Sequence, residues 1–360
     1  MKLFELASSF AKFGYHRTGS DSQLAAEAWL TDYLKQRGFS VQHFSFEYLH
    51  YQAATTLRQG GRVIESMPLY YEAVGEIKNS NNLAIGIVDT TDEEDAYEKI
   101  LSLVKPAKSN RCDALVVGTD CASHSLYAFN VCPELKKSMP IVLVPGGEYE
   151  RLDKEKVSLD FMAEAGFRKA HNLIARFDDA STRAPIVITT PMSGWFECAG
   201  ERGTGVALAI ALAEHLSKSN SVELVLASGH ELGYLGGFEY SASLSRAPAA
   251  VIHLGSSLAT FDSRLQAWSN IESSTFNDMD KVLSTLDIPL QKVDVPSQRS
   301  DWVGEAECWA HFNCPMLSVA GEHPCFHTPQ DRIDSVTDEA ELTKMFKVFT
   351  SLAESVATTV

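Results

Sequence analysis

A histidine beside a glutamate raises the first question of chemistry in this chain. His230 and Glu231 sit in the stretch SGHELGYLGG, Ser228 to Gly237. A zinc-peptidase helix of the HExxH type needs two histidines one turn apart, with the glutamate between them as base. Here the fifth position is Tyr234, so the second imidazole is missing, and glycines at 229, 233, 236 and 237 read as a strand-to-helix turn. A serine nucleophile on a GxSxG elbow fares no better, because neither Ser193 nor Ser228 stands between the required glycines. The stretch GERGTG, starting at Gly200, lacks the Lys-Ser/Thr pair of a phosphate loop and does not match GxGxxG. No local motif carries the chemistry, so residues distant in sequence must be assembled by the fold.

The elements that could assemble them alternate regularly over the second half. APIVITT (184–190), VELVLAS (222–228), AAVIHLGSS and PMLSVAG (315–321) are apolar runs of strand length. Between and after them come the helical stretches GTGVALAIALAEHL, HELGYLGGFEYSASL and DEAELTKMFKVFTSLAES. Continuous apolar strands separated by helices predict a mainly parallel, mixed sheet covered on both faces, an α/β fold. In such sheets the working loops lie beyond the carboxyl ends of the strands, so those after Thr190, Ser228, Leu254 and Gly321 are expected to converge. Near the N-terminus, Leu30 and Leu34 share a helix face before Gly38, and FSVQHFSFEY alternates as a strand. A middle region, with LAIGIVDT (83–90), DALVVGT (113–119) and PIVLVPG (140–146), reads as a small sheet domain inserted in the larger one. The predicted boundaries are 1–50 plus 160–360 for the main domain and 51–159 for the insert.

The bulk properties narrow the partners. A formal net charge of −16 argues against nucleic acid and against an anionic membrane surface. Seven scattered cysteines, with no CxxC pair, fit a reducing compartment, and the expected location is cytoplasmic. MKLFELASSFAKFGYHRTGS reads as a first helix and not as a signal peptide, because Glu5 breaks its apolar run. The oligomeric state is not legible.

Taken together, four segments resemble the zinc aminopeptidase family that also contains glutaminyl cyclase. YHRTGSDSQLAAEAWLTDYLKQRGF resembles its opening helix, and VELVLASGHELGYLGGFEY its strand with two adjacent glutamates. CFHTPQDRID resembles its final His-Thr-Pro-x-Asp segment, and the middle region its protease-associated insert. Members hold two zinc ions bridged by an aspartate. Carried over residue by residue, the first metal histidine falls on Pro191 and its orienting aspartate on Ser193. The bridging aspartate falls on Glu201, the general-base glutamate on His230, a ligand glutamate on Glu231, a later ligand aspartate on Gly255, and the last ligand histidine on His327. One zinc has lost its private ligands, while every position of the other still carries a group able to bind metal. The resemblance therefore implies a degenerate, single-metal site of Glu201, Glu231 and His327, with one divalent metal, zinc, and an open position for water.

Each residue also has a plainer reading. Glu231 could cap the helix that begins beside it, His327 could be a backbone-bonded loop histidine, and Glu201 could be the salt-bridge partner of Arg202. His230 is read as the catalytic base or proton shuttle, with a fourth ligand or a simple hydrogen-bonded histidine as alternatives. His253 reads as a satisfied core residue. Trp195, Trp302 and Trp309 could wall a substrate pocket or belong to the core. Trp195 and Glu305 are taken as substrate-binding, Glu305 receiving an amine, with a solvated charge as its plain alternative. Cys198 and Cys325 flank the site, which leaves a thiolate ligand open.

The function expected is a metal-dependent hydrolase of peptide or other amide bonds. Two alternatives stand beside it: an inactive relative that binds a ligand or partner in the same cleft, and a small-metabolite hydrolase or lyase.

Overall fold

The computed structural model describes residues 2–132, 139–177, 183–272 and 274–360. The chain forms two compact units: Met1–Phe46, Lys169–Phe326 and Asp331–Val360 in the first, and Glu47–Arg168 with His327–Gln330 in the second.

The first unit opens with helices α1 (Leu3–Ala11) and α2 (Asp21–Gln36). The hydroxyl of Ser20 caps α2 by accepting from the Gln23 amide, 3.2 Å, which satisfies one of the amides a helix start leaves unpaired. Strand β1 (Ser40–Gln59) then carries the chain into the second unit. There follow β2 (Arg62–Ile64), β3 (Met67–Pro68), β4 (Gly75–Ser80), β5 (Leu83–Asp89), α3 (Glu93–Ser109), β6 (Ala114–Asp120), β7 (Ile141–Pro145) and α4 (Gly146–Tyr149). β5, β6 and β7 pair in parallel, and β3 closes that small sheet antiparallel to β7. The long strand β8 (Val157–Arg176) brings the chain back.

The rest of the first unit alternates strand and helix: β9 (Ile186–Pro191), α5 (Thr204–Leu216), β10 (Val222–Ala227), α6 (Leu235–Ser243) and β11 (Ala250–Leu254). Then come β12 (Arg264–Ser269), α7 (Ser274–Ser284), β13 (Leu290–Lys292), β14 (Met316–Glu322), α8 (Ile333–Val336) and α9 (Glu339–Ala357). Its sheet runs β13-β12-β14-β11-β9-β10-β8. The four central strands β14, β11, β9 and β10 are parallel, while β12 and β8 flank them antiparallel. The result is the expected α/β fold, a mainly parallel mixed sheet between helices.

Alternation along the central strands fills two cores. Ile186, Ile188, Leu224, Leu226, Ile252, Leu254, Leu317 and Val319 point to the side where α1, α5 and α9 pack. Val187, Val225, Val251 and Met316 point to the other, against Tyr240, Trp302 and Trp309. With both faces buried, every central position can be apolar, and that is why these strands read as unbroken apolar runs. Among the described residues no helix is long and apolar enough to cross a membrane.

Candidate active site

The carboxyl ends of β9 and β10 end side by side, Pro191 opposite Ala227. The loops beyond them interlock through one hydroxyl. Ser193 Oγ donates to Glu231 Oε2 at 3.0 Å and accepts from the amides of Gly229 (3.0 Å) and His230 (3.1 Å). The other oxygen of Glu231 accepts from the Thr18 amide, 2.6 Å, and Thr18 Oγ1 accepts from the Gly229 amide, 2.9 Å. Glu231 is fully buried in a short 3-10 turn, His230–Leu232, ahead of α6. Its charge is thus held by two donors in one fixed orientation, each charge-assisted hydrogen bond being stronger than a neutral one.

Glu201 lies in a π-helical turn, Ala199–Gly203, at the head of α5. Asp331 builds that turn by accepting from the amides of Gly200 (2.6 Å) and Glu201 (2.9 Å). Glycine is required at 200, because a Cβ there would stand 2.6 Å from Thr260 Cγ2 and 2.9 Å from Asp331 Oδ1. His323 completes the support, its Nδ1 2.9 Å from Ser257 Oγ and its Nε2 3.4 Å from Asp331. The Glu201 carboxylate meets the Arg202 guanidinium at 2.6 Å, and both side chains are wholly buried. Arg202 Nε also donates to the Ser193 carbonyl, 2.9 Å, so the arginine ties the two loops together.

Two residues that the sequence singled out separately come together on the same side. His230 Nδ1 and Glu305 Oε1 are 3.3 Å apart, with Glu305 1% exposed. Burial raises the Glu305 carboxyl to about 8, against the pull of Arg202 and with a further push from Glu231. Near neutral pH this carboxyl holds its proton next to an imidazole, an acid–base pair. His253, one strand over, bonds Ser318 Oγ through Nδ1 at 2.8 Å; burial, aided by Arg202, lowers it to about 3 and leaves the ring neutral.

The other expected residues fall as follows. Trp195 is 1% exposed and packs on Tyr15, ring centroids 6.3 Å apart. Trp302 and Trp309 belong to the core beneath the sheet. Cys198 is buried, and burial pushes its thiol well above its usual value, which makes it a poor thiolate. His327 belongs to the second unit, where its carbonyl accepts from the Ala128 amide at 2.9 Å and its ring lies 5.4 Å from that of Tyr127. Gly255, at the place of the missing aspartate, shows why no side chain returns there. A Cβ would lie 2.6 Å from Ala320 Cβ and 3.1 Å from the Val319 carbonyl.

The two carboxylates differ in how they suit a divalent metal. Glu231 fits a ligand's role: it is fixed by two donors, and a carboxylate offers about four lone-pair sites. Glu201 does not fit while the Arg202 guanidinium neutralises it, since a guanidinium and a divalent cation compete for the same oxygens. Sequence reading named the Glu201–Arg202 pair as the plain alternative but gave no role to Ser193 or Asp331. Ser193 holds Glu231 from 38 positions away, and Asp331 holds the amides of Gly200 and Glu201 from 131 and 130, separations no spacing rule captures.

By sequence, no family model and no curated protein matches the chain. Solved structures do match it. A zinc aminopeptidase from Bacillus subtilis superposes with a TM-score of 0.74 at 14% identity, over 98% of this chain and 93% of its own. A peptidase precursor from Shewanella amazonensis gives 0.72 at 17% identity, over 99% and 92%. An aminopeptidase from an Aneurinibacillus species gives 0.62 at 17% identity, over 98% and 92%. At these identities the likeness establishes the fold, which is that of the zinc aminopeptidases.

Proposed function

We propose that this protein is a metal-dependent hydrolase of peptide or other amide bonds, with its chemistry at the strand ends around Glu231. The observation that carries the reading is the convergence there of a buried, doubly oriented carboxylate and the His230–Glu305 pair. A single divalent metal, zinc by resemblance, would be held by Glu231. Bound there, the metal would supply a Lewis acid and a water of lowered pKa. The chain's own residues do the rest. Ser193 and the Thr18 amide hold Glu231 in place, and the protonated Glu305 carboxyl gives its proton to His230 Nδ1 and takes it back, so that the pair shuttles one proton. Glu305, buried at the base of the pair, keeps that proton away from bulk water.

A second reading rests on one specific contact. The guanidinium of Arg202 against Glu201 already supplies a positive charge where the resemblance puts a bridging carboxylate. A cleft neutralised in this way suits a relative that binds a peptide without cleaving it. In either reading the middle region is a protease-associated-like insert, and the location is cytoplasmic.

The experiment is a panel of aminoacyl chromogenic substrates tested on zinc-loaded wild type, Glu231→Gln and His230→Ala. Hydrolysis by the wild type that falls on the order of 100-fold in each variant supports the enzyme. No hydrolysis by the wild type, with peptide binding retained, supports the second reading.

A further inference from the structure

Away from the strand ends, α2, β1 and β8 bring together a carboxylate and two imidazoles that the function above does not use. Glu27 lies on the buried face of α2, four residues before Thr31. His43 projects from β1 and His171 from β8, and their rings meet edge to face, centroids 5.6 Å apart at 77°. His43 Nδ1 is 3.0 Å and His171 Nδ1 3.2 Å from the same oxygen, Glu27 Oε1. The three ligand atoms lie within 4.8 Å of one another, and this is the one such trio of histidine, cysteine or acidic side chains among the described residues.

The hydrogen bonds behind His43 fix which of its nitrogens carries the proton. Thr31 Oγ1 donates its single proton to the Glu27 carbonyl, 2.9 Å, and stands 3.2 Å from His43 Nε2. With that proton spent, the hydroxyl can only accept, so Nε2 is the N–H of the ring. Nδ1 of the neutral imidazole is then a bare lone pair aimed at a carboxylate oxygen. Two lone pairs hold such an approach only when a proton or a metal cation stands between them. Orientation of an imidazole through its far nitrogen is the support that metal-binding histidines receive.

We propose that Glu27, His43 and His171 form a divalent-cation site of the zinc class, separate from the strand ends, clamping α2 to β1 and β8. Tetrahedral zinc with bonds near 2.0–2.1 Å spaces neighbouring ligand atoms about 3.3 Å apart, and two of the three spacings here are 3.0 and 3.2 Å. Two imidazoles and one carboxylate select zinc, cobalt or nickel over magnesium or calcium, which favour all-oxygen shells. Glu27 is closed off at 4% side-chain exposure, whereas His43 and His171 are 38% and 31% exposed. Solvent therefore reaches the open side, where water completes the shell. The site depends on none of the residues assigned to hydrolysis.

Metal-free full-length protein titrated with zinc ion against a chromophoric chelator tests this. Wild type and Glu231→Gln should both bind zinc at the trio, and His43→Ala/His171→Ala should lose one equivalent. Thr31→Val, which keeps every ligand but removes the support of His43, should weaken that equivalent about tenfold or more. Cobalt ion gives a second readout, the visible bands of a four-coordinate centre, present in wild type and absent in the double variant. If the double variant misfolds, His171→Gln and Thr31→Val carry the same test. Zinc stoichiometry and affinity unchanged by these substitutions, or no zinc bound by wild type, overturns the site and leaves a proton-bridged trio only.

Discussion

Two clusters of the first unit, each built on a buried carboxylate, answer the same electrostatic problem in opposite ways. At the strand ends, Arg202 neutralises Glu201, while Thr18 and Ser193 each give one donor to Glu231 and fix its orientation. Under α2, Glu27 faces two imidazoles and, among the described residues, no arginine or lysine, and one imidazole is locked with its lone pair forward. Glu201 receives its cation from the chain itself; Glu27 is placed to receive one from outside. A buried carboxylate is thus not by itself a metal ligand. What separates the two cases is whether the nearest positive charge belongs to the chain.

The largest effect expected from breaking this contrast is on Arg202. Arg202→Met strands the Glu201 charge in the core, and losing one partner of a buried pair costs about 3–5 kcal/mol. Urea denaturation should report that loss, and Glu201→Gln/Arg202→Met should recover much of it. A single variant as stable as wild type would mean that Glu201 does not depend on Arg202.

Next comes the acid–base pair. Glu305 has a folded-state value of about 8 against an ordinary 4.5. Between these values the native state holds a proton that the unfolded chain has released, so stability falls as pH rises across that window. The slope reaches about 1.4 kcal/mol per pH unit. Glu305→Gln should flatten the decline between pH 5 and pH 8 in chemical denaturation; an unaltered slope would show that another group is responsible. On the hydrolysis side, His230→Ala should lower kcat on the order of 100-fold while leaving this stability profile in place.

The smallest effect sharpens the other half of the contrast. Saturating zinc at about 100 times its Kd should stabilise wild type by about 2.7 kcal/mol, and Thr31→Val at the same zinc concentration by roughly half as much. Equal stabilisation of the two in a thermal melt would remove Thr31 from the site's support.

The sequence made the sheet legible because burial on both faces leaves a simple mark. β9, β10, β11 and β14 read as apolar runs and pair as parallel strands. β12 and β13 escaped notice, since a flanking strand with the pattern RLQAWS and a three-residue LQK carry no such run. The compact units divide at Phe46/Glu47 and Arg168/Lys169, inside the twenty-residue strands β1 and β8. A strand that continues from one unit into the next has no turn residues to mark the change.

Of the strand-end residues, His230, Glu231 and Glu305 could be named through the family resemblance, because each lies in a segment that aligns with it. That His230 and Glu305 form a pair could not, as 75 positions separate them. Glu27, His43 and His171 left no trace at all. Each sits alone in an ordinary amphipathic stretch, and only the packing of α2 on β1 and β8 joins them.

The most direct measurement is diffraction from zinc-loaded crystals with data collected at the zinc absorption edge. The account predicts an anomalous peak between Glu27 Oε1, His43 Nδ1 and His171 Nδ1, with Glu201 still paired to Arg202 and outside any metal shell. A map without density at that trio, or with Glu201 released from Arg202 and bound to zinc, would contradict it.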